Sequence, residues 1–322
     1  MLQYLIIHLD DTSVSYCHYD NHKTERNLIS LDDLKAGILY AMKENLMIQM
    51  VYPNYLIPEE YEATIETIDH VKIKPISQST DANVVVINLW NDLESLKNDK
   101  EIAYVLCCDK ISFFENYAKL LPIIDEVSRL NVVIKDVVSF TDDDFAQYKT
   151  ILGEIAEKVK ACYENNHAVQ LNLLTDRMML DKMNNCNAGW ESITLAPDGQ
   201  FYVCPAFYLA DNGEDFGLGK AKYSVGDLKN GLDIKNPQLY RLDHAPLCRK
   251  CDAYQCRRCV WLNRKTTYEV NTPSHEQCVM AHIERNASRD LLASIRTLGT
   301  FLPDKEIKEI DYLDPFEVKD EY

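Results

Sequence analysis

No apolar run in the sequence is long enough to span a bilayer, so no transmembrane helix is expected. Positive charge is scarce. The 34 lysines and arginines stand against 51 aspartates and glutamates, a net charge of −17. That balance argues against a general nucleic-acid binder and against a binder of anionic membrane surfaces, since both need basic surface. G-x-G-x-x-G, P-loop, G-x-S-x-G and H-E-x-x-H patterns are absent, so nucleotide and hydrolase chemistry lack support. A basic leader is missing too. The opening MLQYLIIHLDD passes from a short apolar stretch straight into Asp10 and Asp11, which reads as a core strand and not as a signal peptide. The expected compartment is therefore the reducing cytoplasm, where cysteines act as thiols or metal ligands before they act as disulfides.

The chain that remains is of ordinary globular composition, 322 residues with 46% apolar and 26% charged. Glycine and cysteine are distributed unevenly. Seven of ten glycines lie between Gly189 and Gly231, and seven of eleven cysteines lie between Cys186 and Cys278. This shift places a boundary near residue 180. The expected division is 1–180, a barrel-like domain; 181–290, a cysteine-rich domain; and 291–322, a helix end with an acidic tail.

Over the first part, β-rich runs alternate with helical stretches. The runs are 2–9, 47–53, 70–76, 83–90, 103–109, 131–138 and 168–174. One helix should start after Ser30, with Asp33 as capping partner and Leu34, Ile38, Leu39 and Met42 at helical spacing. Another should occupy roughly 141–165, with Phe145, Tyr148, Ile151, Leu152, Ile155 and Val159 on one stripe and an acidic first turn. Apolar strands alternating with helices imply a parallel sheet covered by helices. A full eight-unit barrel needs ~250 residues. The fold class expected is therefore α/β, a degenerate partial (β/α) barrel followed by a small cysteine-rich domain.

Further on, SITLAPDGQFYVCPA reads as a hairpin turning at Asp198-Gly199. A helix from about Glu276 to Leu298 carries Ile283, Leu291, Leu292, Ile295 and Leu298, and Gly299 is a candidate terminator. In the tail, Tyr312 and Phe316 are candidate docking aromatics.

The sharpest signal is the cysteine spacing. Cys186 opens a C-x12-G-x4-C pattern through Gly199 to Cys204. Then Cys248, Cys251, Cys256 and Cys259 follow as C-x2-C-x4-C-x2-C, and Cys278 closes the set. A C-x2-C pair on a tight turn aims two sulfurs at one ion, and tetrahedral thiolate sites take zinc or iron–sulfur clusters. Arg249, Lys250, Arg257, Arg258, Arg264 and Lys265 surround the run against Asp252 alone. These cations offset thiolate charge, and Arg249, Lys250, Arg257 and Arg258 are candidates to hold an acidic peptide or partner. His244, His275 and His282 flank the run as candidate ligands or donors. Cys108 and Asp109, at the end of one strand, and His8, Asp10 and Asp11, at the end of another, are candidates to line a barrel mouth, though core packing is the favoured reading of both groups.

This cysteine order resembles the SPASM domain, the auxiliary iron–sulfur module of radical S-adenosylmethionine peptide maturases. The phrase SVGDLKNGLDIKNPQLYRLDHAPLCRKC resembles the approach to that module's cysteine run, although both inner gaps are one residue short here. The resemblance implies that Cys248, Cys251, Cys256 and Cys278 hold one cluster, and that Cys186, Cys204 and Cys259 contribute to a second. The second set has no obvious fourth cysteine: it is open, borrows Cys162 or a histidine, or is empty. The C-x3-C-x2-C motif that starts radical chemistry is not intact, since LDDTSVSYCHYDN keeps only Cys17. One cysteine cannot hold a four-iron cluster, so no S-adenosylmethionine is expected.

As a whole the chain resembles the CXXX repeat peptide maturases. The implied role is an accessory maturation protein for a ribosomally made, cysteine-repeat precursor peptide. It would act with a true radical S-adenosylmethionine enzyme through one or two 4Fe-4S clusters. The competing reading is a zinc-stabilised peptide-binding scaffold with no redox role. A third is an independent enzyme with its own residues at the barrel mouth.

Overall fold

The structure is a computed structural model describing residues 2–96, 99, 101–210 and 220–308. Alternation of apolar residues along short β-branched runs builds the sheet. Strands β1 (Tyr4–His8), β2 (Met47–Val51), β3 (His70–Pro75), β4 (Val84–Ile87), β5 (Ala103–Cys108), β6 (Arg129–Ile134) and β7 (Gln170–Leu171) run parallel, in that order. Between them lie α1 (Leu31–Lys43), α2 (Glu59–Ile65), α3 (Lys110–Asn116), α4 (Leu120–Ile123) and α5 (Asp142–Glu164). The fold class is α/β, and the sheet is an open partial barrel: among the described residues no strand closes β7 onto the far edge.

The two faces of the strands separate by parity. Ile6, Val51, Ile73, Val86 and Val105 form the inner cluster. Leu5, Ile7, Ile48 and Met50 face outward and pack under α1. Ser30 caps α1, its hydroxyl accepting from the Asp33 amide at 3.0 Å. The buried stripe of this helix differs from the sequence expectation. It is Leu34, Gly37, Ile38 and Ala41, whereas Leu39 and Met42 are about 60% exposed. The reason is closeness: a β-carbon at Gly37 would collide with the Leu195 side chain, so small residues bring the helix down onto the sheet. On α5 the expected stripe is buried, and Thr141 and Asp144 form a reciprocal capping box.

Strand β7 is shorter than the run 168–174. The Thr175 hydroxyl bonds both the amide and the carbonyl of Leu171, and the Asn172 side chain bonds both backbone groups of Val132. Side chains thus replace the ladder after two residues. Similarly, β6 ends at Ile134, and 137–139 turn as 3₁₀.

Beyond the short helix α6 (Thr175–Met179) the same sheet continues. Strand β8 (Ser192–Leu195) pairs in parallel with β1, Tyr4 opposite Ser192. Strands β9 (Gln200–Tyr202), β10 (Ser224–Asp227) and β11 (Gly231–Leu232) then extend it antiparallel. The β8–β9 hairpin turns at Asp198-Gly199, where Gly199 takes a φ of +73° that favours glycine. The compositional boundary near residue 180 is therefore not a break in the sheet. Three α-helices follow among the described residues: α7 (Pro205–Leu209), α8 (Val260–Thr267) and α9 (His275–Arg296). Ser274 caps α9, which lies along α5 and is tied to it by Tyr148 donating to Glu284 at 2.8 Å. The acidic tail with Tyr312 and Phe316 lies outside the described residues, as do the glycines at 213, 217 and 219. No helix among the described residues is long and apolar enough to cross a membrane.

Candidate functional site

All eleven cysteines are free thiols. Those of the C-terminal part divide into two groups by which sulfurs influence one another. In the first, Cys256 feels the charge of Cys248 and Cys251, and Cys248 feels Cys251. Burial pushes the Cys248 thiol up to about 11 and the Cys256 thiol up to about 12. Backbone amides point at the sulfurs here: Ala253 donates to Cys251 at 3.5 Å, and Arg258 to Cys256 at 3.4 Å. The Nε2 of His282 lies 3.6 Å from the Cys251 sulfur. Cys278 sits on α9 four residues before His282, about one helical turn.

In the second group, Cys259 feels Cys186, Cys204 and Cys17, and Cys204 feels Cys186 and Cys17. Burial raises all three of Cys17, Cys204 and Cys259, with Cys17 at about 12. Amides again oppose burial, those of Ala206 and Phe207 on Cys204 and that of Leu262 on Cys259. Cys204 immediately precedes α7, and Cys259 is the N-cap of α8. The run Cys256-x2-Cys259 therefore sends its two sulfurs to different groups. The turn between them is sharp, with Arg258 at a left-handed φ of 44°.

Arg258 is the link between the groups. Fully buried, it feels Cys248 and Cys256 on one side and Cys186 and Cys259 on the other. Its Nε donates to Asn185 Oδ1 at 2.7 Å and its Nη2 to the Tyr240 carbonyl at 2.8 Å. Its Nη1 is buried with no partner among the described residues. The sequence grouped Arg258 with a partner-binding face. Burial removes it from any surface, because the guanidinium is spent inside. Arg257 is exposed and lies close enough to lower the Cys17 thiol. Arg249 and Lys250 are exposed on an open groove shared with Trp190 and Arg241, whose guanidinium stacks 4.7 Å from the Trp190 ring.

Cys162, a candidate fourth ligand on sequence grounds, is committed elsewhere: its thiol donates to Asp125 at 2.8 Å. Asp109 caps α3, accepting from the Ser112 amide, and Cys108 fills core. Asp10 is fully buried and organises the loop after β1. It accepts from the Thr12 amide and hydroxyl, the Asn27 amide and the Tyr55 hydroxyl. Asp11 accepts from Tyr208. These acids are thus structural anchors at the barrel mouth.

Two arrangements were not read from the sequence. Asp252 receives a bidentate fork from Arg285 of α9, both bonds at 2.8 Å, and a third bond from Arg177 of α6 at 3.2 Å. Burial would raise this carboxyl, but Arg285 and Arg177 outweigh it and hold it below its ordinary range. Glu284 is buried beside Tyr148 and Gln255, and burial pushes its carboxyl up to about 7. The signal for both was the polar stripe Glu284, Arg285 and Ser288 on the buried face of α9.

Among the described residues no three His, Cys, Asp or Glu side chains already stand in metal-holding geometry. The donor chemistry nevertheless fits a thiophilic centre. Backbone amides aim at several of the sulfurs and a buried cation with an unused donor stands between the groups, while the carboxylates of Asp252 and Glu284 act on Cys251 and Cys256.

No protein-family model matches the sequence, and no curated protein matches it. Solved structures do share its fold. Native anSMEcpe with bound AdoMet and Cp18Cys peptide matches with a TM-score of 0.58 at 11% identity, covering 92% of this chain and 100% of that one. A histidine-tagged anSMEcpe with bound AdoMet matches with a TM-score of 0.59 at 11% identity, covering 94% and 98%. Streptococcus suis SuiB bound to precursor peptide SuiA matches with a TM-score of 0.50 at 13% identity, covering 86% and 76%. At this identity the likeness establishes a common fold.

Proposed function

We propose that the protein is an accessory maturation factor for a ribosomally made, cysteine-repeat peptide, acting with a radical S-adenosylmethionine enzyme. In this reading Cys248, Cys251, Cys256 and Cys278 hold one iron–sulfur cluster, and Cys186, Cys204 and Cys259 serve a second. The observation that carries it is the gathering of two cysteine groups around buried Arg258, whose Nη1 lacks a partner among the described residues. A cluster with thiolate ligands is anionic, and a buried guanidinium with a free N–H is suited to face it. Such clusters supply electron transfer or a point of attachment for a thiol. The fold supports the peptide part, since anSMEcpe and SuiB share it and each is seen with a bound peptide. Arg249 and Lys250 beside Trp190 offer a basic, aromatic groove for an acidic segment of the peptide. The reading includes no radical initiation, because Cys17 alone cannot replace a three-cysteine motif.

Anaerobic reconstitution of the full chain with ferrous iron and sulfide tests the cluster part. The expected result is protein-bound iron and sulfide with charge-transfer absorbance. Protein that holds zinc alone under these conditions overturns the redox role and favours the scaffold reading, to which four thiolates are equally suited. Cys251→Ser should release metal from the first group under either reading. Co-purification with a CXXX peptide and a radical enzyme tests the partners, and repeated failure to capture either one counts against the assigned role.

A further inference from the structure

The loop after β1 is laid across the carboxyl ends of the neighbouring strands and is fastened to three of them. At the end of β2, the Ser13 hydroxyl donates to the Val51 carbonyl at 2.9 Å and the Val14 amide to the Tyr52 carbonyl at 3.1 Å. The Cys107 thiol of β5 donates to the Ser15 carbonyl at 3.4 Å, and His18 Nδ1 sits 3.1 Å from the Ile134 carbonyl that ends β6. The loop is also tied to itself. The Asp10 amide donates to Ser13 Oγ at 3.1 Å, and the Asn21 side chain donates to the Asp11 and Ser13 carbonyls at 2.7 and 2.8 Å. Short polar side chains that bond nearby backbone suit such a turn. Beneath it, Val14 and Tyr16 pack with Ile6, Val51, Ile73, Val86 and Cys107, one residue from the inner face of each strand from β1 to β5.

We propose that residues 13–18 form a fixed strap over the inner wall of β1 to β5. It fills the crevice at the strand ends where open α/β sheets take their ligands, so no ligand reaches that wall while the fold is intact. The chain's own side chains stand where a ligand would. Val14 is 7% exposed, and Cys107, bonded to the strap from below, is 2% exposed. The cavity of about 370 Å³ beside the strap is lined by His18, Tyr19, Lys135 and Trp261 among others, and by none of those inner-face residues. A lid that opens for substrate needs a segment of low local stability, with few buried contacts. This segment instead has an apolar underside and bonds reaching from β2 to β6. The strap is independent of the metal binding proposed above, so either can fail alone. It confines the peptide to other surfaces, such as the groove at Trp190, and argues against a catalytic site on the inner wall at the barrel mouth.

Cys107 reports on the strap from below. The full-length protein is treated with iodoacetamide at increasing urea, and labelling of Cys107 and of the core thiol Cys108 is followed by peptide mass spectrometry. In the unmodified chain Cys107 should label only through global unfolding, with the same urea dependence as Cys108. Rapid labelling of Cys107 at low urea, with Cys108 untouched, shows that the strap opens by itself and overturns the proposal. A Val14→Ala/Tyr16→Ala variant, its folding checked by far-UV circular dichroism, strips the underside of the strap. It should speed Cys107 labelling without urea by about 100-fold or more and leave Cys108 slow. A folded variant in which Cys107 stays as slow as Cys108 shows that the strap is not the cover and rejects it. If the variant does not fold, hydrogen exchange of the unmodified chain decides. The Val14 amide should be as protected as the amides of β2, and fast exchange there rejects the strap.

Discussion

His8 lies on the inner face of β1, fully buried, with neither ring nitrogen partnered among the described residues. The Tyr208 ring meets it edge-on at 6.0 Å, and Asp10 is the charge it feels. Burial dominates and pushes its pKa from 6.5 down to about 4. The folded protein thus keeps a neutral imidazole where the unfolded chain takes up a proton. Stability contributed at pH 7 falls as pH drops below 6.5 and levels off below about 4, with a total on the order of 3 kcal/mol. His18 is pushed down to about the same value by burial, so the two share this window. His8→Leu should therefore reduce, without abolishing, the stability lost between pH 7 and pH 4.5 in urea unfolding. An unchanged loss would show that the ring is solvated or paired in solution.

The helices show how far pattern reading reaches. Gly37 is the element-scale case. Alanine is the better helix former by ~1 kcal/mol, yet overpacking a full core costs ~1–3 kcal/mol. Leu195, which meets the new methyl, is completely buried, so Gly37→Ala should lower the melting temperature by about 2 °C. A rise would mean that α1 lifts easily from the sheet. The same contact explains why its stripe was half legible. Leu34 and Ile38 announce a helix, but periodicity alone cannot tell that a close approach selects Gly37 and Ala41 and turns Leu39 and Met42 outward. The strongly periodic α5 had no such conflict. Strand β7 was overread because Asn172 and Thr175 end its ladder with side chains, a substitution that leaves no mark in hydropathy. At the candidate site the spacing singles out the late cysteines, and Arg258 looked like surface because charge alone carries no burial signal.

Across the whole molecule, Asp252 is a knot. It joins the cysteine run to α6 and α9 through Arg177 and Arg285, whose side chains are 5% and 2% exposed. Removing its charge strands two buried guanidiniums, a loss of about 3–5 kcal/mol. Asp252→Asn should turn a single calorimetric transition into two, the C-terminal part melting first, with protease cleavage appearing ahead of global unfolding. One undivided, unshifted transition would show that the strands alone carry the coupling. The sheet order has a consequence for biosynthesis. β1 leaves the ribosome long before β8, which is one of its two neighbours. Until Ser192–Leu195 emerges, β1 is left with an unsatisfied edge, a template for wrong pairing in a slow, nonlocal topology. Nascent chains stalled before that point should therefore be aggregation-prone and depend on chaperones in a way that the finished protein does not.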